Sequence, residues 1–343
     1  NFSDFGDLAT GMGQGVGGAS SSTRGVFLGG GTPSKSNVIQ YITIASEGNA
    51  VDYGDLSYTA DAQSEGTCSS PIRGIAAGGN TGSKINSISY ITIPTLGNGQ
   101  DFGDLTLARG TAGTVSNATR GIFAGGEPTT NIIDFITIAT TGNAQDFGDL
   151  QTASFSRSGV SSPTRACFGG GGTPTVVNTI DFITIQSTGN ASDFGDLSQS
   201  RGGPGNGGCS SSTRGLFGSG ITYSPTSQKD TIDYVTIAQT GNAVDFGNLT
   251  LARGDVAALS SSTRGIWAGG YTPTHQNIMD FVTISTTGNA ADFGDMTTTR
   301  VRVSAASNST RGIHFGGQTP TVINAINFIT IATLGNGMDF GDL

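Results

Sequence analysis

Residues 133–150 read IDFITIATTGNAQDFGDL, and this stretch decides the fold because variants of it recur along the whole chain. Its last five residues, DFGDL, occur in eight copies, in which Tyr53, Asn248 and Met296 are the substitutions. The copies begin at Asp4, Asp52, Asp101, Asp146, Asp193, Asp245, Asp292 and Asp339. The starts are separated by 48, 49, 45, 47, 52, 47 and 47 residues, so the eight copies enclose seven units. A period of this size with strand-like content is typical of a propeller or a solenoid.

Each unit contains the signals of four short strands. The run before Gly125-Gly126 is apolar and ends in a glycine pair, as a buried strand does before a turn. Residues 133–138 are rich in β-branched and aromatic side chains, and both faces are largely apolar. Gly142-Asn143 predicts a turn, residues 146–150 a short outer strand, and residues 156–161 contain the first strand of the next unit.

Seven units of four strands predict an all-β fold, a seven-bladed β-propeller that forms one domain over residues 1–343 with repeats of ~47 residues. Radial closure protects the strand edges. Eight copies of DFGDL exceed the seven outer strands needed. We expect residues 4–8 to close the ring beside residues 325–331; closure by residues 339–343, an open solenoid and a longer parent chain remain alternatives.

The repeat resembles the kelch repeat in Gly125-Gly126, Phe135 and Phe147, and in the pattern DFGDLxxxR. That pattern places arginines at Arg109, Arg201, Arg253 and Arg300. Phe147 stands where kelch repeats usually have Trp, and the single Trp, Trp267, lies in a glycine-pair strand. We therefore expect a kelch-like propeller rather than a true kelch protein.

The segments ITIATTGN and DFGDL are also similar to repeat proteins of marine bacteriophages, cyanophages among them, whose genes are often virion- or tail-associated. This resemblance implies a virion or extracellular location. It also implies a structural or adhesive role in a tail, a fibre or a capsid decoration. The implied partners are other virion proteins or a cell-surface glycan or protein.

Composition argues against several other partners. The net charge is −9 and there are only 16 Lys and Arg residues, which disfavours nucleic acid and anionic membranes. No run approaches the ~20 apolar residues of a membrane helix, so membrane insertion is not expected. Three cysteines, Cys68, Cys167 and Cys209, make no disulfide framework and are predicted to be small buried residues.

Charged residues repeat once or twice per unit, which predicts structural ion pairs or carboxylates bonded to turn amides. The arginines are Arg24, Arg73, Arg120, Arg165, Arg214, Arg264 and Arg311. The carboxylates are Asp52, Asp101, Asp146, Asp193, Asp245, Asp292 and Asp339. A ring of calcium sites is the less favoured alternative, because the two aspartates of DFGDL point to opposite faces of a strand.

Catalytic motifs are not apparent. His275 and His314 lie in different units and at different phases, so neither has a partner for a triad or a metal site. The glycine-rich residues 169–172 precede no Lys-Ser/Thr and no helix, unlike a phosphate loop. Carboxylates that recur in every unit indicate scaffold. We expect no cofactor and no enzyme activity.

Variation between units locates the candidate binding loops. The spacing from the aromatic residue of the ITI strand to the next DFGDL is 11 residues in all seven units. Insertions fall between the second and third strands or between blades, connections that share one face of a propeller, and such a face often binds ligands. The candidate residues are Lys35, Lys84, Tyr223, Gln228, Lys229, Tyr271 and His275. Unconstrained drift of surface loops is the alternative explanation.

The sequence thus predicts a non-enzymatic structural or adhesive propeller, associated with a phage particle. An extracellular glycan- or protein-binding propeller outside a virion is the second hypothesis. An enzyme that uses the propeller as a scaffold is the third.

Overall fold

A computed structural model describes residues 6–13, 15–31, 34–60, 66–202, 207–223 and 225–337. These residues form seven four-stranded antiparallel sheets arranged as a β-propeller, which confirms the predicted all-β fold and the number of blades. The described part of the chain contains no helix, and therefore none that could cross a membrane. The strands are named A to D within each blade, because the A strands of neighbouring blades pack on one another around a central cavity and the D strands lie outermost.

The strands of the first three blades, in the order A to D, are β2 (Gly17–Ser20), β3 (Arg24–Gly31), β4 (Lys35–Thr43) and β5 (Val51–Ala60); β6 (Thr67–Ser69), β7 (Arg73–Ala77), β8 (Ser87–Thr92) and β9 (Gln100–Asp104); β10 (Gly113–Ser116), β11 (Arg120–Ala124), β12 (Ile132–Thr137) and β13 (Gln145–Asp149). Those of blades 4 and 5 are β14 (Ser158–Ser161), β15 (Arg165–Gly169), β16 (Thr179–Thr184) and β17 (Ser192–Asp196); β18 (Gly207–Ser210), β19 (Arg214–Gly218), β22 (Thr231–Thr236) and β23 (Val244–Asn248). Those of blades 6 and 7 are β24 (Ala257–Ser260), β25 (Arg264–Ala268), β28 (Ile278–Thr283) and β29 (Ala291–Asp295); β30 (Ser304–Ser307), β31 (Arg311–Phe315), β34 (Ala325–Thr330) and β1 (Gly6–Asp7). Three small hairpins are inserted between strands B and C: β20 (Ile221–Tyr223) with β21 (Thr226–Gln228), β26 (Tyr271–Thr272) with β27 (Thr274–His275), and β32 (Gln318–Thr319) with β33 (Thr321–Val322).

The first DFGDL copy closes the ring. Gly6 lies opposite Ile326 and Asp7 opposite Ala325, so β1 is the D strand of blade 7. Blade 3 has the same register within one chain segment, where Gly148 lies opposite Ile133. The expected closure by the N-terminal copy is therefore confirmed for Gly6 and Asp7, whereas residues 339–343 lie outside the described residues.

Each blade packs its two faces against its two neighbours. In blade 3, Phe135 joins an apolar cluster with Phe168 and Ile183 of blade 4. Ile136, on the opposite face of the same strand, joins a cluster with Ile75 of blade 2. The core is therefore a ring of apolar clusters between blades, as expected for strands that are apolar on both faces.

The glycine pairs at the ends of the B strands are required by their backbone and by close contacts. Gly125 and Gly126 have φ angles of 66° and 129°, a region that favours glycine. A Cβ atom on Gly125 would lie 2.3 Å from the carbonyl oxygen of Ser154. The pair turns the chain away from the core and lets the connection to the next blade pass close by.

Candidate functional site

The two kinds of variable connection lie on one face of the ring. Isolated bridges pair the segment between blades with the B–C connection in five blades, at Gly110–Glu127, Phe155–Gly172, Gly202–Ile221, Gly254–Tyr271 and Val301–Gln318. The three inserted hairpins belong to these B–C connections. We call this side the hairpin face, defined by residues 29–31, 34–37, 78–86, 125–131, 170–178, 219–223, 225–230, 269–277 and 316–324.

Two of the candidate lysines on the hairpin face hold neighbouring loops together. The Lys35 ammonium group donates a hydrogen bond to the Asn80 side-chain oxygen at 3.2 Å, from blade 1 to blade 2. Lys84 makes a 2.8 Å ion pair with Glu127 of blade 3. The Glu127 side chain is 55% exposed, so this pair contributes little to the free energy of unfolding. Both lysines are therefore part of loop-to-loop contacts.

Tyr223, Gln228 and Lys229 belong to the hairpin of blade 5. Tyr223 lies at the end of β20 and is 39% exposed, while Gln228 faces Ile221 across the hairpin. The backbone of Lys229 anchors the hairpin, since its amide donates to the carbonyl oxygen of Gly220 at 2.9 Å.

Tyr271 and His275 form an aromatic pair on blade 6. They face each other across β26 and β27, and their ring centroids are 6.0 Å apart. Tyr271 is 38% exposed, and its amide is bonded to the carbonyl oxygen of Gly254 at 2.8 Å. The anchored backbone presents an aromatic side chain with a polar tip, a type common at binding surfaces.

One half-buried arginine in each blade joins that blade to the next. In blade 3 the Arg120 guanidinium lies 4.5 Å from the ring centroid of Phe135 and donates to the carbonyl oxygen of Ile185 in blade 4 at 2.7 Å. All seven blades repeat these two contacts, with centroid distances of 4.3–4.8 Å and bonds of 2.7–3.0 Å. We call these residues the latch arginines: Arg24, Arg73, Arg120, Arg165, Arg214, Arg264 and Arg311.

The latch arginines do not pair with the DFGDL aspartates among the described residues, so the expectation of ion pairs between these two sets needs correction. The guanidinium of each latch arginine lies over an aromatic ring and donates to the backbone of the neighbouring blade. The first aspartate of each motif instead accepts a hydrogen bond from the amide of the motif's glycine at 2.8–3.2 Å, which corresponds to the turn-amide alternative. This contact is present at Asp52, Asp101, Asp146, Asp193, Asp245 and Asp292; Asp339 lies outside the described residues.

Seven DFGDL copies, those with a described fourth residue, also contact the Gly-Asn turn of the next blade. The amide of the fourth motif residue donates to an asparagine side chain of the following Gly-Asn turn, as in the 3.1 Å bond from Asp149 to Asn190. A Cβ atom on Gly148 would lie 2.5 Å from the backbone of Gly189, so only glycine permits this approach. DFGDL is thus an inter-blade joint.

The buried ion pairs involve residues that the sequence did not single out as charge pairs. Arg109–Asp134, Arg157–Asp181, Arg201–Asp233 and Arg253–Asp280 are separated by 3.0, 2.8, 2.7 and 2.8 Å, and their side chains are almost completely buried. Burial lowers the pKa of the Arg109, Arg157 and Arg201 guanidinium groups, and the neighbouring aspartate raises it in part.

Coupled variation in blades 1 and 2 is a partial sequence signal for these pairs, whereas blade 7 keeps Arg300 with Asn327 at the aspartate position. Where the aspartate position holds Ser89, the arginine position holds Ala60, and where it holds Gln40 the arginine position holds Met12. In blade 3 the Arg109 guanidinium also donates to the carbonyl oxygen of Phe123. In blade 2, which lacks this arginine, the Tyr58 hydroxyl donates to the equivalent carbonyl oxygen, that of Ala76.

The central cavity has a volume of about 340 Å³ and is lined by A strands. Serine hydroxyls at the ends of these strands donate to the serine carbonyl of the preceding blade at 3.1–3.4 Å. These serines are Ser20, Ser69, Ser116, Ser210, Ser260 and Ser307. The cavity wall is polar but carries no charged side chain among its described lining residues.

The cysteines are buried, as predicted. Cys68, Cys167 and Cys209 are free, and burial raises the pKa of each thiol to about 12.

His314 is completely buried in strand B of blade 7. The described residues contain no group of three or more His, Cys, Asp or Glu side chains placed to hold a metal ion.

Neither a scan of the chain against models of known protein families nor a search of curated proteins gives a match.

Proposed function

We propose that this protein is a non-enzymatic structural or adhesive module that uses a closed ring to present binding loops on its hairpin face. One observation carries the proposal. The latch contacts and the DFGDL joints recur from blade to blade, whereas the B–C connections differ in length and chemistry. The repeated residues are therefore engaged in holding the ring, which leaves the hairpin face as the variable surface.

The phage assignment is part of this proposal and rests on the resemblance of the ITIATTGN and DFGDL segments to marine bacteriophage repeat proteins. We place the protein in a tail, a fibre or a capsid decoration, with other virion proteins or a cell-surface glycan or protein as its partner. The kelch-like subtype is also proposed. It is supported by the glycine pair that ends strand B and by the edge-to-face pair of Phe135 and Phe147, whose ring centroids are 5.8 Å apart.

The hairpin of blade 5 is the first segment to test. Residues 220–230 are exchanged for the aligned residues 126–131 of the shorter B–C connection of blade 3, and both proteins are applied to a glycan array and to candidate virion proteins. Loss of binding with an unchanged melting temperature supports the proposal, and retained binding contradicts it for this hairpin. Ile72→Thr on the opposite face is the control, because Ile72 is exposed and most blades have Thr at that position.

A glycan-binding propeller outside a virion is the second candidate. The aromatic pair of Tyr271 and His275 on an anchored hairpin favours it, because stacking on an aromatic ring suits a sugar as well as a protein side chain. Mass spectrometry of purified particles separates the two: detection of this chain supports the virion assignment, and its absence from particles supports the second candidate.

A further inference from the structure

The D-strand position of blade 7 is one site for which this chain carries two matching segments. Residues 4–8 and residues 339–343 both read DFGDL. In blades 1 to 6 the D strand follows strand C of the same blade, and the 11-residue spacing from Phe328 to Asp339 is the same as in those blades. In blade 7 the position is taken by β1 instead.

β1 makes the contacts of an ordinary D strand. The Asp7 amide donates to the Asn49 side chain at 2.9 Å, and the Ala50 amide donates to the Asp7 carbonyl oxygen at 2.8 Å. The corresponding bonds in blade 3 join Asp149 to Asn190 and Ala191, at 3.1 and 2.8 Å. The site therefore holds β1 through the same joint that the other blades use for their D strands.

The chain also approaches this site from strand C of blade 7 along the usual path. The amides of Gly335 and Gly337 donate to the carbonyl oxygens of Phe293 and Asp295, at 2.9 and 2.6 Å. The Asp295 amide donates to the Asn336 side chain at 3.0 Å. Gly337 occupies the position that Ala144 has in blade 3, two residues before the DFGDL motif. The C–D turn of blade 7 therefore makes the contacts that precede a D strand in blade 3.

We propose that the outer position of blade 7 is an exchangeable binding site for a DFGDL segment, and that residues 339–343 of the same chain replace residues 4–8 in it. The two segments present the same five side chains, so the joint to Asn49 and the outer-strand register are available to either one. Exchange releases residues 4–8 and leaves the other six blades unchanged.

Glycine substitutions test the exchange in the full chain. A Cβ atom on Gly6 would lie 2.6 Å from the Asn49 nitrogen, so Gly6→Val blocks the N-terminal segment, and Gly341→Val is the equivalent change in the second segment. Gly148→Val is the matched control in blade 3, because the D strand of that blade follows its own strand C and no second DFGDL copy is available to replace it.

We expect Gly148→Val to lower the melting temperature by at least about 5 °C. Gly6→Val and Gly341→Val each lower it far less, and the double variant matches the control. A Gly6→Val loss as large as that of Gly148→Val contradicts the proposal, as does a double variant no less stable than Gly6→Val.

Pairs of introduced cysteines report which of the two DFGDL segments occupies the outer position of blade 7, and they do not block that position. Ala325 lies opposite Asp7, at a distance between facing strand residues that suits a disulfide. Asp7→Cys with Ala325→Cys reports the N-terminal segment, and Asp342→Cys with Ala325→Cys reports the other. The native cysteines are buried, which limits background. Intrachain disulfides from both pairs support exchange. A disulfide from the first pair alone, or covalent dimers from the second, contradicts it.

Discussion

The guanidinium of Arg311 in blade 7 donates a 2.7 Å hydrogen bond to the carbonyl oxygen of Ile44 in blade 1. This bond joins the last blade of the ring to the first by the same contact that joins every other pair of neighbours. The ring is therefore continuous in its latch contacts, although strand D of blade 7 comes from the opposite end of the chain from strands A to C of that blade.

Removal of one latch should weaken the ring. Arg264→Ala loses the stacking on Phe281, 4.8 Å from the ring centroid, and the 2.8 Å bond to the Ile331 carbonyl oxygen. We expect a loss of about 2 kcal/mol in the free energy of unfolding, from one charged hydrogen bond and one cation–π contact. Denaturant unfolding measures it, with Lys84→Ala as a control that stays within about 0.5 kcal/mol because its ion pair is exposed. An unchanged midpoint for Arg264→Ala would show that the latch is dispensable.

The buried pair of blade 3 should behave as a unit. Asp134→Ser leaves the Arg109 guanidinium buried without its carboxylate, and we expect a loss of about 3–5 kcal/mol. Adding Arg109→Ala reproduces the Ser89 and Ala60 combination of blade 2, so the double variant should recover part of that loss. A double-mutant cycle by urea unfolding measures the coupling. Additive losses would contradict a coupled pair.

His314 should make stability depend on pH. Burial lowers the pKa of this imidazole from its usual 6.5 to about 3, with Arg300 contributing in the same direction. The unfolded chain binds the proton first, so stability is complete above pH 6.5 and is lost as pH falls toward 3, by up to about 1.4 kcal/mol per pH unit. The other blades carry Phe27, Ala76, Phe123, Phe168, Phe217 or Trp267 at this position.

His314→Phe should therefore stabilise the protein most at mildly acidic pH. Melting curves of both proteins between pH 5 and pH 7 measure the difference, which should grow as pH falls. A constant difference over this range would mean that His314 does not titrate as its burial requires.

Thr111 should be a site of backbone strain. Its φ angle is 52°, which is unfavourable for a β-branched residue, and Gly15 takes the equivalent position in blade 1 with a φ angle of 68°. We expect Thr111→Gly to raise the free energy of unfolding by about 1 kcal/mol. Gly15→Thr, the reverse change, should lower it by a similar amount. Destabilisation by Thr111→Gly, measured by urea unfolding, would contradict the strain.

The sequence was sufficient for the architecture because the period, the glycine pairs and the 11-residue spacing are local signals. The sequence did not show which arginine pairs with which aspartate in the folded protein. Arg120 and Asp146 recur with the most regularity and therefore looked like partners, but regular spacing does not show which face of a neighbouring blade a side chain reaches. The Arg109–Asp134 pair and the Lys84–Glu127 contact join segments that meet only after the blades pack. For the hairpin face, the sequence located the variable loops but not the contacts that tie Lys35 and Lys84 to their neighbours.

We propose that the repeated residues hold the ring and that the hairpins bind the ligand. Glycan-array binding and melting temperature are measured together for Arg264→Ala and for the exchange of residues 220–230 by the aligned residues 126–131. We expect Arg264→Ala to lower the melting temperature and to keep the binding pattern, and we expect the exchange to keep the melting temperature and to remove binding. Binding that survives the exchange, or that is lost in folded Arg264→Ala, would contradict it.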